Sequence, residues 1–301
     1  MKKSLGNRIF DICNYIFLAI IGFVMLYPFY YCIILAFNEG VDTQSGGIWF
    51  WPREFTLANF EQIFNNATIV RAIAISVART FAGVILAVLV TSMFAFSVSR
   101  KDLKFKRFYI VFGAITMYFS GGMIPTFLLI NKLGLYNNFL VYILPSMFSM
   151  SNAIMMIAFF KGLPEELLES VRMDGGSDLT IFFRIVLPVS KPILATIALF
   201  VGVGQWNSWL DTVIYTDGKS LPTLTSTLQQ MMNQISYFEN LTKETLQSGQ
   251  MLSEQVLRMQ TVTSQSFMMA MVVVTSLPIM MSYPFLQKYL IKGVMVGSLK
   301  G

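Results

Sequence analysis

The sequence predicts an all-α protein that threads a lipid bilayer six times. Two observations carry that expectation. Of 301 residues, 55% are hydrophobic and only 13% are charged, whereas a soluble chain of this length would carry about a quarter charged residues. The apolar residues also gather into six runs near the ~20 residues that cross the hydrocarbon of a membrane. A third observation bounds the chemistry. There is no histidine, and the two cysteines, Cys13 and Cys32, stand in or beside the first apolar run. That removes Ser-His-Asp and Cys-His catalysis and the commonest metal ligand, and leaves too few thiols for a disulfide framework or a metal site. One membrane domain over 1–301 is expected.

The N-terminus is short and basic, and the run from about 15 to 37 is too long for a signal peptide and long enough to span, with Pro28 as a kink. A polar, aromatic loop follows to about 72. Trp49-Phe50-Trp51-Pro52 suits a membrane interface, where tryptophan concentrates. Leu57, Phe60, Ile63 and Phe64 form a short amphipathic stripe. It reads as a helix lying on the membrane for most of its area, or as a docking surface for an external partner.

The second span covers about 73–98. Arg71 precedes it, placed to snorkel to the interface. Arg79 lies roughly 9 Å deeper at 1.5 Å per residue. An arginine at that depth is paired or functional, or it snorkels; both readings stand. Arg100, Lys101, Lys104, Lys106 and Arg107 separate this span from the third, as a cytoplasmic anchor would rather than a nucleic-acid patch. The third span, about 109–130, holds Tyr118 to Pro125, YFSGGMIP, whose glycines and proline a membrane helix tolerates when neighbours satisfy the backbone. The fourth covers about 139–160, with Pro145 and Asn152 inside.

Residues 161–192 are charged and read as helix, turn, helix. Pro164 suits a first helical position, and Glu165 and Glu166 favour the positive end of the helix dipole. Leu167, Leu168 and Val171 make an apolar stripe. Asp174-Gly175-Gly176 breaks the helix, since glycine takes positive φ without steric cost. Ser177 caps a second helix with the stripe Phe182, Ile185 and Val186, and Pro188 should end it. Two helices this short are marginal alone, so the stripe either packs on its own membrane domain or docks into another protein.

The fifth span, about 193–215, carries Gln205-Trp206-Asn207-Ser208-Trp209-Leu210-Asp211. Such polar density belongs in a bundle interior or a cavity. Tryptophan faces with amide and carboxylate groups suit sugars, which offer both C–H faces and hydroxyls. The same residues also suit glue between helices. Arg79, Gln205, Trp206, Asn207, Trp209 and Asp211 are therefore the candidates for a solute pathway. A polar loop at 216–263 follows. Its Gly218-Lys219-Ser220 lacks the earlier glycine of a phosphate loop, Val213 standing there. The sixth span is about 264–285, with a basic tail.

With the N-terminus inside, fifteen of the 22 Lys and Arg fall on inner segments and five on outer ones. That bias places both termini and the 161–192 hairpin in the cytoplasm and the 216–263 loop outside.

Glu169-Ser170-Val171, Asp174-Gly175 and Ile185-x-Leu187-Pro188 resemble the EAA loop of ABC-importer permeases, whose pattern is E-A-A, three residues, G, nine residues, I-x-L-P. Ser170 and Val171 replace the two alanines. Tyr118 to Pro125, Gln205 to Trp209 and the C-terminal 282–301 are similar to the carbohydrate-uptake branch, the maltose-type second permease, and more so to the branch importing alginate and rhamnogalacturonan oligosaccharides. The resemblance implies a type I ABC importer permease of six helices in the bacterial cytoplasmic membrane. It implies a homologous second permease, two ABC ATPase subunits that bind the ATP and Mg, and an extracytoplasmic sugar-binding protein. It assigns the 161–192 hairpin to ATPase coupling, and implies no cofactor in this chain and no nucleic acid. A permease for another solute stands as the alternative. A membrane enzyme fits less well, because the spans offer no carboxylate pair, Asp211 standing alone.

Overall fold

Three apolar runs become unbroken helices here and three break, only one of them at a glycine pair, among the described residues. The computed structural model describes residues 5–173, 175–234 and 265–298. Among the described residues, three helices are long and apolar enough to cross a membrane: α1 (Leu5–Ala36), α4 (Ala67–Ser99) and α14 (Gln265–Ser298). Pro28 sits inside α1. Short helices α2 (Gly40–Gln44) and α3 (Ala58–Asn65) lie between α1 and α4.

The third expected span is two helices, α5 (Lys106–Tyr118) and α6 (Met123–Lys132), bent by 114°. The break falls on Ser120-Gly121-Gly122, where Gly122 takes φ +82°, open to a residue without Cβ. Pro125 then lies in the first turn of α6, where a missing N–H costs nothing. The fourth expected span begins as two 3₁₀ turns, Phe139–Tyr142 and Leu144–Ser146, and continues 50° away as α7 (Met150–Lys161). The hairpin contains α8 (Glu166–Met173) and a second helix made of α9 (Asp178–Ile181), a π turn at Phe182–Val186 and α10 (Leu187–Val189). The helix thus runs one residue past Pro188, and the wider π turn just before it loosens the ladder that a proline interrupts. An 82° bend at Ser190 leads into α11 (Lys191–Asn207). The fifth expected span breaks again at Ser208-Trp209 before α12 (Leu210–Tyr215). Residues 224–234 form α13. Counting each bent pair as one span gives up to six.

The chain divides into two units, Met1–Val70 with Leu228–Leu277, and Arg71–Thr227 with Pro278–Gly301. In the first, Asn38 is fully buried and organises the loop after α1. Its amide donates to Asp42 and Thr43 at 2.9 Å each and accepts from Glu54 N at 3.0 Å. Of the α3 stripe only Ile63 is fully buried, while Leu57 and Phe64 are exposed. In the second unit the core joins α4 (Ala95, Phe96, Val98), α7 (Met156, Ile157, Phe160), the hairpin (Ile181, Phe182, Val186) and α11 (Ile197).

Candidate functional site

A single arginine gathers the polar residues of the second unit. Arg79 lies in the N-terminal half of α4 and is 2% exposed. Its side chain does not snorkel. Nε and Nη2 donate to Gln205 Oε1 at 3.2 and 3.0 Å. Nη1 and Nη2 donate to the two carboxylate oxygens of Asp211 at 3.2 and 2.5 Å, and Nη1 also donates to Ser208 O at 3.1 Å. The guanidinium carbon lies 4.3 Å from the ring centroid of Tyr142, within the range of a cation–π contact. Gln205 turns its amide nitrogen to Tyr142 O at 3.1 Å and to Ser146 Oγ. Gly83, one turn beyond Arg79, makes room for this: a Cβ there would sit 2.9 Å from Gln205 Nε2. The fork matches the carboxylate bidentately, the geometry in which a buried charge is best compensated.

Arg79, Tyr142, Ser146, Gln205, Ser208 and Asp211 line one cavity of about 310 Å³, at the lower end of ligand-pocket sizes. Asp211, about 20% exposed, borders it. Trp206 does not. It is buried against Ala198, Leu199, Gly202 and Val203 in a separate apolar pocket, and its carbonyl accepts from Thr225 Oγ1 at 2.7 Å. Asn207 and Trp209 flank the break in the helix and are exposed. So of the six expected pathway residues the structure clusters Arg79, Gln205 and Asp211, turns Trp206 away, and leaves Asn207 and Trp209 on the surface. Tyr142, Ser146 and Ser208 belong to the cluster and were not expected. Their partners are 59 or more residues away in sequence, and no local spacing signals them.

The hairpin is the second candidate. Gly175 has φ +77°, as the turn was expected to need. Gly176 packs so closely that a Cβ would meet Val171 Cγ1 at 2.5 Å. Ser177 caps α9 through a bond from Thr180 N at 3.3 Å. Leu168, Val171 and Leu187 pack partly buried on the core of the second unit, and Ile185 is half-buried. Glu169, Ser170 and Pro188 are exposed. Asp174 lies outside the described residues, as does the part of the expected 216–263 loop beyond residue 234. Leu167, Met173, Leu179 and Phe183 face outward, Met173 at 88% exposure. The basic loop after α4 is joined to the hairpin: Lys101 pairs with Glu165, and Arg172 lies 3.1 Å from Asp178 and 3.6 Å from Asp102. Hydrogen bonding to Glu165 raises the Lys101 pKa, and the bond from Arg100 lowers that of Asp102.

No family model matches the sequence. The chain is similar to protein LplC of Bacillus subtilis (strain 168), 33% identical over 302 residues that cover 100% of this chain and 98% of the relative. It is 34% identical over 295 residues to the polygalacturonan/rhamnogalacturonan transport system permease protein YtcP of the same organism, covering 98% of this chain and 99% of that one. An arabinooligosaccharides transport system permease protein, AraQ, of Halalkalibacterium halodurans is 28% identical over 288 residues, 94% of each chain. A crystal structure of a bacterial ABC transporter involved in the import of the acidic polysaccharide alginate contains a chain that superposes with a TM-score of 0.83. That match covers 96% of this chain and 99% of that one at 24% identity, and it shows the fold.

Proposed function

The chain belongs to the permease subunits of carbohydrate-importing ABC transporters, and we propose that it forms half of an oligosaccharide pathway and is driven through the hairpin. It is a transport subunit and carries out no covalent chemistry. The relatives named for polygalacturonan, rhamnogalacturonan and arabinooligosaccharides support oligosaccharides as the solute class. The six spans, the cytoplasmic termini and a homologous second permease complete this reading. So do two ATPase subunits that bind ATP and Mg, and an extracytoplasmic sugar-binding protein.

The observation that carries the reading is the two-faced hairpin. One face is held in the core of the second unit, and the other offers Leu167, Met173, Leu179 and Phe183 to solvent. Isolated helices of this length are unstable; fastened to the bundle, they form a lever. ATP binding closes the ATPase subunits, the outer face follows them, and the bundle rocks to turn its cavity inward or outward. Glu169, Ser170, Val171, Asp174, Gly175, Ile185, Leu187 and Pro188 are the coupling residues of this scheme. Arg79, Gln205, Asn207, Trp209 and Asp211 border or adjoin the path, and Trp206 supports it from behind. A path for phosphate would need spare cations, and Arg79 is already matched by Asp211. The test is purification with the partner subunits, followed by ATPase stimulation and uptake across a panel of oligosaccharides. Stimulation by phosphate or a polyamine with none by any sugar would refute the solute class.

A further inference from the structure

The guanidinium of Arg79 has five N–H donors, and the structure uses all five. One from Nε goes to Gln205. The two on Nη1 go to Ser208 O and Asp211, and the two on Nη2 go to Gln205 and Asp211. Tyr142 covers one face of the ion. The cation therefore has no donor left for a solute in the cavity it borders. Its partners share one location, the break between α11 and α12.

That break has a cost that Arg79 meets. The last carbonyls of a helix have no intrahelical donor, and in a bilayer no bulk water supplies one. Two carbonyls at this end of α11 are met by side chains from elsewhere, beside the ordinary capping bond of Ser208. Gly204 O accepts from Ser208 N at 3.1 Å, Trp206 O from Thr225 Oγ1 at 2.7 Å, and Ser208 O from Arg79 Nη1 at 3.1 Å. The same guanidinium stands at the negative end of the α11 dipole, where a cation is favoured. Asp211 lies in the first turn of α12, at that helix's positive end, and accepts from Thr212 N at 2.9 Å. One cation on α4 thus fills the gap between two helices and balances the acid that begins the second.

We infer that Arg79 is a positioning residue and not a solute ligand: it pins the broken helix so that Asn207 and Trp209 stand exposed at the gap. That it matters for sugar passage rests on the permease reading above; that it holds the break does not.

The test uses the assembled transporter with Cys13 and Cys32 replaced by alanine. A cysteine at Asn207 is titrated with a membrane-impermeant maleimide in the absence of sugar, with a cysteine at exposed Lys104 as a remote control. Arg79→Lys keeps the ion pair but has three donors in place of a five-donor fork. It is expected to change the labelling rate at position 207 at least fivefold, to leave position 104 within twofold, and to lower sugar uptake per assembled complex at least tenfold. Because no sugar is present during labelling, a residue that only binds solute would leave position 207 unchanged, and that result overturns the proposal. Equal changes at both positions, or failure of Arg79→Lys to assemble, would assign Arg79 to general folding and overturn it as well. Unchanged uptake beside altered labelling would remove the link to transport. If the unmodified transporter moves no sugar, the permease reading fails while the labelling result still judges the pin.

Discussion

At the scale of residues, the two tryptophans of Gln205 to Trp209 part company. Both are placed by one short sequence, yet a helix turns Trp206 into an apolar pocket, while the break at Ser208 leaves Trp209 36% exposed. Trp206→Ala should therefore act on folding, costing about 3–5 kcal/mol as buried aromatic truncations do, read as loss of assembled complex. Trp209→Ala should leave assembly intact and lower uptake by an amount worth roughly 1–3 kcal/mol if the ring meets sugar. Equal uptake per complex in Trp209→Ala and wild type would remove it from the path. Asp217 supports a prediction of another kind. Its carboxylate accepts from Lys219 N, Ser220 N and Ser220 Oγ at 2.9, 2.8 and 2.6 Å, and from Asn137 Nδ2 at 3.3 Å. The Ser220 bonds lead in lowering its pKa from 3.8 to about 2. A lowered carboxyl stabilises the fold above its unfolded pKa and ceases to do so as pH falls through the folded one. The difference in Tm between wild type and Asp217→Asn should thus be constant above about pH 5 and shrink between roughly pH 4 and 2. A difference that persists unchanged at pH 2 would show that the ionised carboxylate is not its source.

At the scale of elements, helix ends are closed by side chains from elsewhere in the chain. Asn59 donates to Ala36 O at the end of α1 at 3.0 Å, Lys106 to Ser99 O at the end of α4 at 3.2 Å, and Arg79 to Ser208 O beyond α11 at 3.1 Å. This explains what was legible in the sequence and what was not. Local chemistry gave the hairpin its turn glycine and its Ser177 cap as the spacing implied, but the expected stripe divides: Leu168 and Val171 pack on the bundle while Leu167 faces outward. The apolar runs located the membrane segments, but run length does not report breaks, since a capped gap and a continuous helix have the same hydrophobicity. The breaks at 119–122 and 208–209 depend on distant donors or on a positive-φ glycine whose use is a tertiary matter. In the hairpin, a Cβ at Gly175 would meet nothing within 4 Å, so substitution there is a question of backbone conformation alone. Val should cost on the order of 1–2 kcal/mol or more at positive φ, whereas Asn tolerates that region. Gly175→Val is expected to abolish sugar-stimulated ATP hydrolysis while the permease still inserts, Gly175→Asn to retain most of it, and Glu169→Ala to show a milder loss than Val. Normal stimulation and normal ATPase pull-down in Gly175→Val would return the hairpin to an ordinary loop.

At the scale of the whole molecule, the orientation we propose rests on charge, and contacts in the second unit group the loops without reference to charge. The basic loop reaches the hairpin through Lys101–Glu165 and Asp102–Arg172, so these two segments share one side of the membrane. Asn137 and Asp217 are joined on both backbone and side chain, and Ser220 donates to Asn137 at 2.7 Å, so the turn after α6 and the one after α12 share a side too. If each bent pair crosses the membrane once, as we propose, alternation along the chain puts these on opposite sides, because α7 leads from the turn after α6 to the hairpin and α11 leads back. Which side is the cytoplasm is then decided by lysine and arginine: the first pair of segments holds nine of them, from Arg100 to Lys191, and the second holds Lys132 and Lys219. An excess of that size fixes orientation when it lies in short loops beside the spans. In a variant without Cys13 and Cys32, a cysteine replacing exposed Lys104 or Lys191 should react with an impermeant reagent only from the cytoplasmic face. One replacing Lys219 should react only from outside. Reaction of all three from one face would break the alternation on which six spans rest. Reaction in the reverse sense would keep the spans, invert the molecule, and place the hairpin out of reach of any cytoplasmic ATPase.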